Sequence, residues 1–474
     1  MSFIHFGCWG NLNDKVKFKN ENTETIDRGS KPLEKYPIHH VVEAIQKDID
    51  RRKINFVSVA GDNYYPTKVM KDEEKIKQVN VTKVNTLMDQ LEKLYKNLNK
   101  TIYLLYGNHE MSDKAIYIDE DLSTPQRPCV ALSKQLERLR KIHETNPKMN
   151  IQAFMDTMHV GLNSHTIVIM LDTTIYDDVK VKKKDKKDKG DNTKDKETKD
   201  KPKEKDNIHC YKDFEILYKT YMENEFNGEV TNKHLRLIQL MQVVGILNAN
   251  PNKKNIVFVG HHPIISFKQK KKEDKETGEK KMVVDPANNK NLQLFFRRLN
   301  IILNQRLASD STRLHYLCAD THLYEKSLIT LHPRKELNDA PRKRIKIHQY
   351  IIGTGGTELD IQSSIEDIKK YISKKSDDFE NIDYTINAKE RFDNCYGYLK
   401  IKHETYNKSK LKFQFIKVVS KTGEILWKSK SSLWSRSRSR SRSKNTTRTR
   451  TKSRTKITDP QTRRTRRKSR IYVK

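Results

Sequence analysis

The chain has 474 residues, a formal net charge of +34 and only 35% hydrophobic residues, a balance that fits a folded body carrying charged additions. It contains no run of about 18 apolar residues, which argues against a membrane-spanning helix. Its five cysteines, Cys8, Cys129, Cys210, Cys318 and Cys395, are too few and too scattered for a disulfide framework and favour a reducing compartment. The N-terminus lacks a basic segment followed by an apolar one, so the expected location is intracellular, in cytoplasm or nucleus.

In chain order, Ser2 to Phe6 reads as a strand that ends at Gly7-Cys8-Trp9-Gly10. A helix is expected over Ile38 to Arg52, with Val41, Val42, Ile45 and Ile49 at helical spacing. Ile54 to Val59 and Thr101 to Tyr106 are strands, separated by a helix over Thr82 to Leu98. Met158 to Leu162 and Thr166 to Leu171 form a hairpin, and a helix over Lys233 to Leu247 precedes the strand ending at Val259. Leu314 to Leu317 is a further buried strand, Tyr350 to Gly356 ends another with a glycine turn, and Tyr396 to Ile401 and Lys410 to Val419 close the body. This alternation predicts sheets flanked by helices, an α/β fold spanning residues 1–428. Two segments interrupt it. Residues 180–206, nearly all Lys, Asp and Glu, cannot offset their ordering entropy by burial and read as a disordered insert, and 268–281 reads as a charged loop overhanging the site.

Four short stretches follow the apolar runs: Gly61-Asp62-Asn63-Tyr64-Tyr65, Gly107-Asn108-His109-Glu110, Gly260-His261-His262-Pro263 and Asp320-Thr321-His322. Polar donors at the carboxyl ends of successive strands sit where an open α/β sheet gathers its ligands. Nitrogen and oxygen donors converging without a cysteine framework suggest a site for two hard or borderline metal ions.

These stretches resemble the calcineurin-like metallophosphoesterase superfamily, and within it the purple acid phosphatase branch. That branch carries G-D-x-x-Y, matched by Gly61 to Tyr65, G-N-H-E, matched by Gly107 to Glu110, and G-H-[HY]-P, matched by Gly260 to Pro263. Looser likenesses are Leu171-Asp172-Thr173, Gly353-Thr354-Gly355-Gly356 and Tyr396-Gly397-Tyr398, and the resemblance covers about residues 3–428. It implies a four-layer α/β-β/α sandwich with a di-metal centre between the sheets. By the same resemblance, Asp62 bridges the metals, Tyr65 and His322 bind the first, and Asn108 and His261 bind the second. His109 and His262 would face the phosphate and serve as the catalytic pair while a hydroxide shared by the metals attacks phosphorus.

Two positions depart from the branch. Cys8 stands where it has a metal-binding Asp, and Asp320 stands where it has a His. Both remain candidate ligands; the expected cofactors are two divalent or mixed-valence ions of zinc, iron or manganese, with Cys8 biasing the first toward zinc or ferrous iron. The expected function is hydrolysis of a phosphomonoester. The alternatives are an attenuated relative with a packaging role in a nucleoprotein particle, and a phosphodiesterase or nuclease. Residues 429–474 form a Ser/Arg-rich tail. From Lys428 onward, 19 Lys/Arg face one acid, Asp459, which concentrates +18 of the charge there. The expected partner of that tail is nucleic acid or another polyanion, bound through phosphates.

Overall fold

The computed structural model describes residues 2–10, 36–51, 53–63, 92–96, 98–109, 117–119, 122–126, 141–142, 144–145, 150–153, 157–176, 232–273, 278–333, 343–404 and 410–427. The expected insert at 180–206, Tyr65, most of the expected 82–98 helix and the tail lie outside these residues.

The first sheet has six strands. Strands β1 (Ser2–Phe6), β2 (Phe56–Ala60) and β3 (Thr101–Leu105) run parallel at its centre. A separate two-stranded ladder, β4 (Tyr117–Asp119) with β5 (Leu122–Gln126), follows in sequence. Strand β6 (Ile151–Ala153) then joins β3 in parallel. Helix α1 (Pro37–Arg51) joins β1 to β2 and buries Ile38, Val41, Val42, Ile45 and Ile49, which bears out the helical spacing.

The second sheet has seven strands. Strands β7 (Met158–Asn163) and β8 (Thr166–Met170) form the expected hairpin, and helix α2 (Asn232–Asn248) leads into β9 (Asn255–Val259). Strands β10 (Ile265–Glu273) and β11 (Lys280–Asn288) form a second hairpin, followed by helix α3 (Lys290–Ile302), β12 (Arg313–Cys318), β13 (Tyr324–Leu331) and β14 (Ile345–Ile352). Then come β15 (Ile361–Gln362), helix α4 (Ile365–Lys374), β16 (Ile382–Phe392), β17 (Cys395–His403) and β18 (Leu411–Ser420). The second sheet runs β16-β13-β14-β12-β9-β8-β7, and β17 and β18 return to the antiparallel edge of the first. The architecture is mixed α/β.

Side chains of the second sheet alternate between two cores. Val168, Met170, Val257, Val259, Leu317, Tyr350 and Ile352 share one core with Phe3, Ile4, Phe6 and helix α1. Ile167, Ile169, Ile256, Phe258, Leu314, Tyr316, Ile347 and Ile351 face the other, with α2, α3 and α4. Burial on both faces explains why β8 and β9 are almost continuously apolar. Contact between the sheets is direct, with the Phe413 ring of β18 stacked on Tyr350 at 4.4 Å and tilted against His315 at 4.6 Å.

One expectation needs correction. Residues 268–281 are not simply a charged loop: Lys268–Glu273 pair with Lys280–Asp285 in the β10–β11 hairpin. Charge hid the strand pattern, because Phe267 and Val284 turn toward the second core while Lys268, Lys270 and Lys272 turn away.

His5 lies fully buried, 2.8 Å from Ser58 Oγ, and desolvation pushes its pKa down to about 3, against an opposing backbone bond to Cys318. An unfolded histidine titrates near 6.5, so the unfolded chain binds the extra proton between these values. The contribution is therefore complete above about pH 6.5 and is lost on acidification. From about pH 7 to about pH 5 this one group should cost about 2 kcal/mol of stability. Urea melts of His5→Asn should show a pH-dependent loss smaller by that amount, and an equal loss would refute the assignment.

Candidate metal centre

The loops after β1, β2, β3, β9 and β12 meet at one place, where the carboxyl ends of the parallel strands of both sheets come together. Three residues there leave their strands in the left-handed backbone region: Cys8 (φ 55°), Asp62 (φ 54°) and Asp320 (φ 60°). Each such turn costs a non-glycine residue about 1 kcal/mol or more, and strain of this kind collects at functional sites. Neighbouring bonds hold the turns. Cys8 N–H donates to Gly61 O at 3.1 Å, Gly10 N–H to Asp62 O at 3.0 Å, and Asp320 N–H to Cys8 Sγ at 3.1 Å.

Asp62 is buried and directs its two oxygens to different neighbours. Oδ1 lies 3.3 Å from His261 Nε2, while Oδ2 lies 3.8 Å from Cys8 Sγ and 3.9 Å from His109 Nε2. His109 N–H also donates to Oδ1 at 3.3 Å. Gly107 makes this approach possible, since a Cβ there would sit 2.3 Å from Asp62 Oδ1 and 2.7 Å from His261 Cε1.

His261 sits at the centre of the cluster. Its Nδ1 is 2.6 Å from the carbonyl of Ala60, which can only accept, so in the neutral ring Nδ1 carries the proton. Nε2 is then a lone pair. It faces Asn108 Oδ1 at 3.1 Å, Asp62 Oδ1 at 3.3 Å and Asp320 Oδ1 at 3.8 Å. Four acceptor atoms pointing at one another repel unless a positive charge, a proton on Nε2 or a metal ion, lies among them, and a backbone carbonyl fixing the far nitrogen is the usual support of a ligating histidine.

His322 is arranged in the same way, with Nδ1 2.9 Å from Glu358 O and its N–H bonded to Asp360 Oδ2 at 2.8 Å. His262 is buried with Nδ1 3.2 Å from Thr173 Oγ1, the hydroxyl that also accepts the N–H groups of His261 and His262. Two sets of donor atoms result, Cys8–Asp62–His322 and His261–His262–Asp320, with the atoms of each set within 4.8 Å of one another. Nitrogen, oxygen and one thiol together suit zinc, ferrous iron or manganese.

Burial lowers the pKa of His109 against the opposing pull of Asp62, and burial also lowers that of His322, so both rings are poised to be neutral. Burial alone would raise the pKa of Asp320, but His262, His261 and Lys268 outweigh it and the net shift is downward, holding a carboxylate.

The candidate residues Cys8, Asp62, Asn108, His109, His261, His262, Asp320 and His322 thus come together, while Tyr65 lies outside the described residues. Sequence reasoning missed Asp360, which orients His322, and Lys268 beside it. Asp360 has no motif, and Lys268 was hidden in a charged run. Thr173 was visible only as part of Leu171-Asp172-Thr173, without a role.

No family model matches the chain, and no curated protein does. Among the solved structures that match is GAP50, described as the anchor in the inner membrane complex of Plasmodium. It has 10% identity and a TM-score of 0.38, over 90% of this chain and 87% of that one. Another solved structure has 8% identity and a TM-score of 0.32, over 88% of this chain and 99% of its own. Both likenesses are too distant to carry an argument about function.

Proposed function

We propose that the protein is a metal-dependent phosphoesterase of the calcineurin-like type, hydrolysing a phosphomonoester at a two-metal centre. In this reading the two sheets and their outer helices make a four-layer α/β-β/α sandwich. The observation that carries it is the buried Asp62, whose two oxygens aim at two separate groups of ligand atoms. Cys8, Asp62 and His322 would hold one ion, with Tyr65 as a further candidate, and Asn108, His261 and Asp320 would hold the other, sharing Asp62. Bound ions supply Lewis acidity at the phosphoryl group and make water a nucleophile near neutral pH. His109, partly exposed beside Asp62, is placed to donate a hydrogen bond from its neutral ring to a phosphoryl oxygen. His262, held by Thr173, is placed as its partner or as a further ligand.

The first test is metal analysis of the full chain with monoester and diester substrates, repeated across zinc, iron and manganese. Monoester turnover that depends on added metal supports the reading, and diester turnover alone would make the protein a phosphodiesterase. Because Cys8 stands among the ligands, aerobically purified protein is expected to lack the visible tyrosinate-to-ferric band that Tyr65 would give. A strong band would contradict divalent occupancy. Gly107→Ala should displace the Asp62 loop as well as its carboxylate and lower metal content by at least one equivalent, as its Cβ would lie 2.3 Å from Asp62 Oδ1 and 2.7 Å from Asp62 N and from His261 Cε1. Full metal content in that variant would remove Asp62 from the centre.

The basic tail at 429–474 is proposed as a phosphate-contacting segment for nucleic acid or another polyanion.

A further inference from the structure

The β10–β11 hairpin has two unlike faces. Phe267 and Val284 turn to the second core on one side. On the other, Ser266 Oγ bonds Thr321 Oγ1 at 2.7 Å, between the candidate ligands Asp320 and His322. Two residues further out, Lys268 Nζ lies 3.2 Å from Asp360 Oδ2, the same oxygen that accepts the His322 N–H. Lys270 then pairs with Asp285, the cross-strand neighbour of Lys268, which places both lysines on one face. Lys272 continues that face opposite Lys281.

One strand face therefore begins at the metal-ligand loop and carries a lysine at every second position, about 6.8 Å apart along an extended chain. Lys268 is two-thirds covered, with 33% of its side chain exposed, whereas Lys270 is 54% exposed. Burial alone would lower the pKa of Lys268, but Asp360 and Asp320 outweigh it, so the ammonium stays charged beside the centre. It also answers the negative charge that Asp320 adds there. Among the described residues, Lys270 pairs with Asp285, whose side chain is 26% exposed, and Lys281, opposite Lys272, pairs with exposed Glu279 at 3.5 Å; surface pairs of this kind are worth little and exchange for a stronger anion.

We propose that this lysine face is a binding arm for a second phosphate, so that the substrate of the centre carries at least one phosphate besides the one that reacts. The inference rests on the phosphoesterase reading above. Lys268 holds the inner position, next to the reacting group, and Lys270 and Lys272 meet phosphates displaced outward along the strand.

The test compares a nucleoside bisphosphate with the matching monophosphate on the full, metal-loaded chain, by hydrolysis and by calorimetric affinity. The wild-type protein should prefer the bisphosphate. In Lys270→Glu/Lys272→Glu the preference ratio should fall about fivefold or more, the scale expected for reversing two exposed charges. The charge-matched control Lys410→Glu/Lys412→Glu, at the start of β18 and the residue before it, should keep the ratio and so subtract any general attraction to a basic protein or its tail. Absence of preference in the wild type, or an unchanged ratio in the hairpin variant, overturns the arm. If neither probe is hydrolysed, the phosphoesterase reading fails while the affinity ratio still decides whether the arm exists.

Discussion

Asp62→Asn is expected to lose at least one metal ion and to reduce phosphoester hydrolysis on the order of a thousandfold or more. The substitution keeps the shape of the side chain but replaces one anionic oxygen by an N–H donor, which cannot ligate. Whichever oxygen is replaced, one of its two neighbours, His261 Nε2 at 3.3 Å or Cys8 Sγ at 3.8 Å, then faces a nitrogen. Loss of activity alone would be ambiguous, so the readout is metal content together with turnover on protein of unchanged circular dichroism. Full metal content in Asp62→Asn would remove the bridge.

Arg391→Met is expected to cost about 3–5 kcal/mol of stability, the usual result of stranding one partner of a buried ion pair. Arg391 Nε lies 2.8 Å from Glu325 Oε2, with only 4% and 0% of the two side chains exposed. Its guanidinium also donates to Ser363 O and, at 2.8 Å, to Phe267 O, while Tyr384 donates to the other Glu325 oxygen. Burial already raises the pKa of Glu325 and Arg391 opposes the shift, so removing the arginine raises it further. A carboxyl with a raised folded pKa binds its proton more readily when folded, so the variant should recover part of its loss as pH falls. Arg391→Met/Glu325→Leu should be more stable than the single variant, because no buried charge is stranded. A loss below about 1 kcal/mol in the single variant would mean that the pair is solvated. Because Phe267 O and Ser363 O flank the hairpin and the Asp360 loop, the same variant should weaken substrate binding before it unfolds.

The sequence displayed the strands and their ligand-bearing ends because strands buried on both faces are largely apolar runs, and the polar donors, though buried too, begin where the apolar run stops. Val257 and Phe258 face different cores, yet both must be apolar, so the run ending at Val259 stands out and His261 follows it. The β10–β11 hairpin was opaque for the opposite reason. Along β10 beyond Ile265 and Phe267 the pairing is carried by backbone bonds under lysines, and backbone bonds leave no mark on composition. Asp360 was equally silent, because its role depends on the fold returning β15 beside β10. The left-handed turns at Cys8, Asp62 and Asp320 could not be read either, since none is a glycine and only the convergence of the loops imposes them.

The most direct test is the metal stoichiometry of the full chain, purified without chelator and compared with Asp62→Asn. Two equivalents of zinc, iron or manganese per chain, falling to one or none in the variant, are the expected result. A wild-type chain that binds no metal after exposure to all three ions would contradict the account.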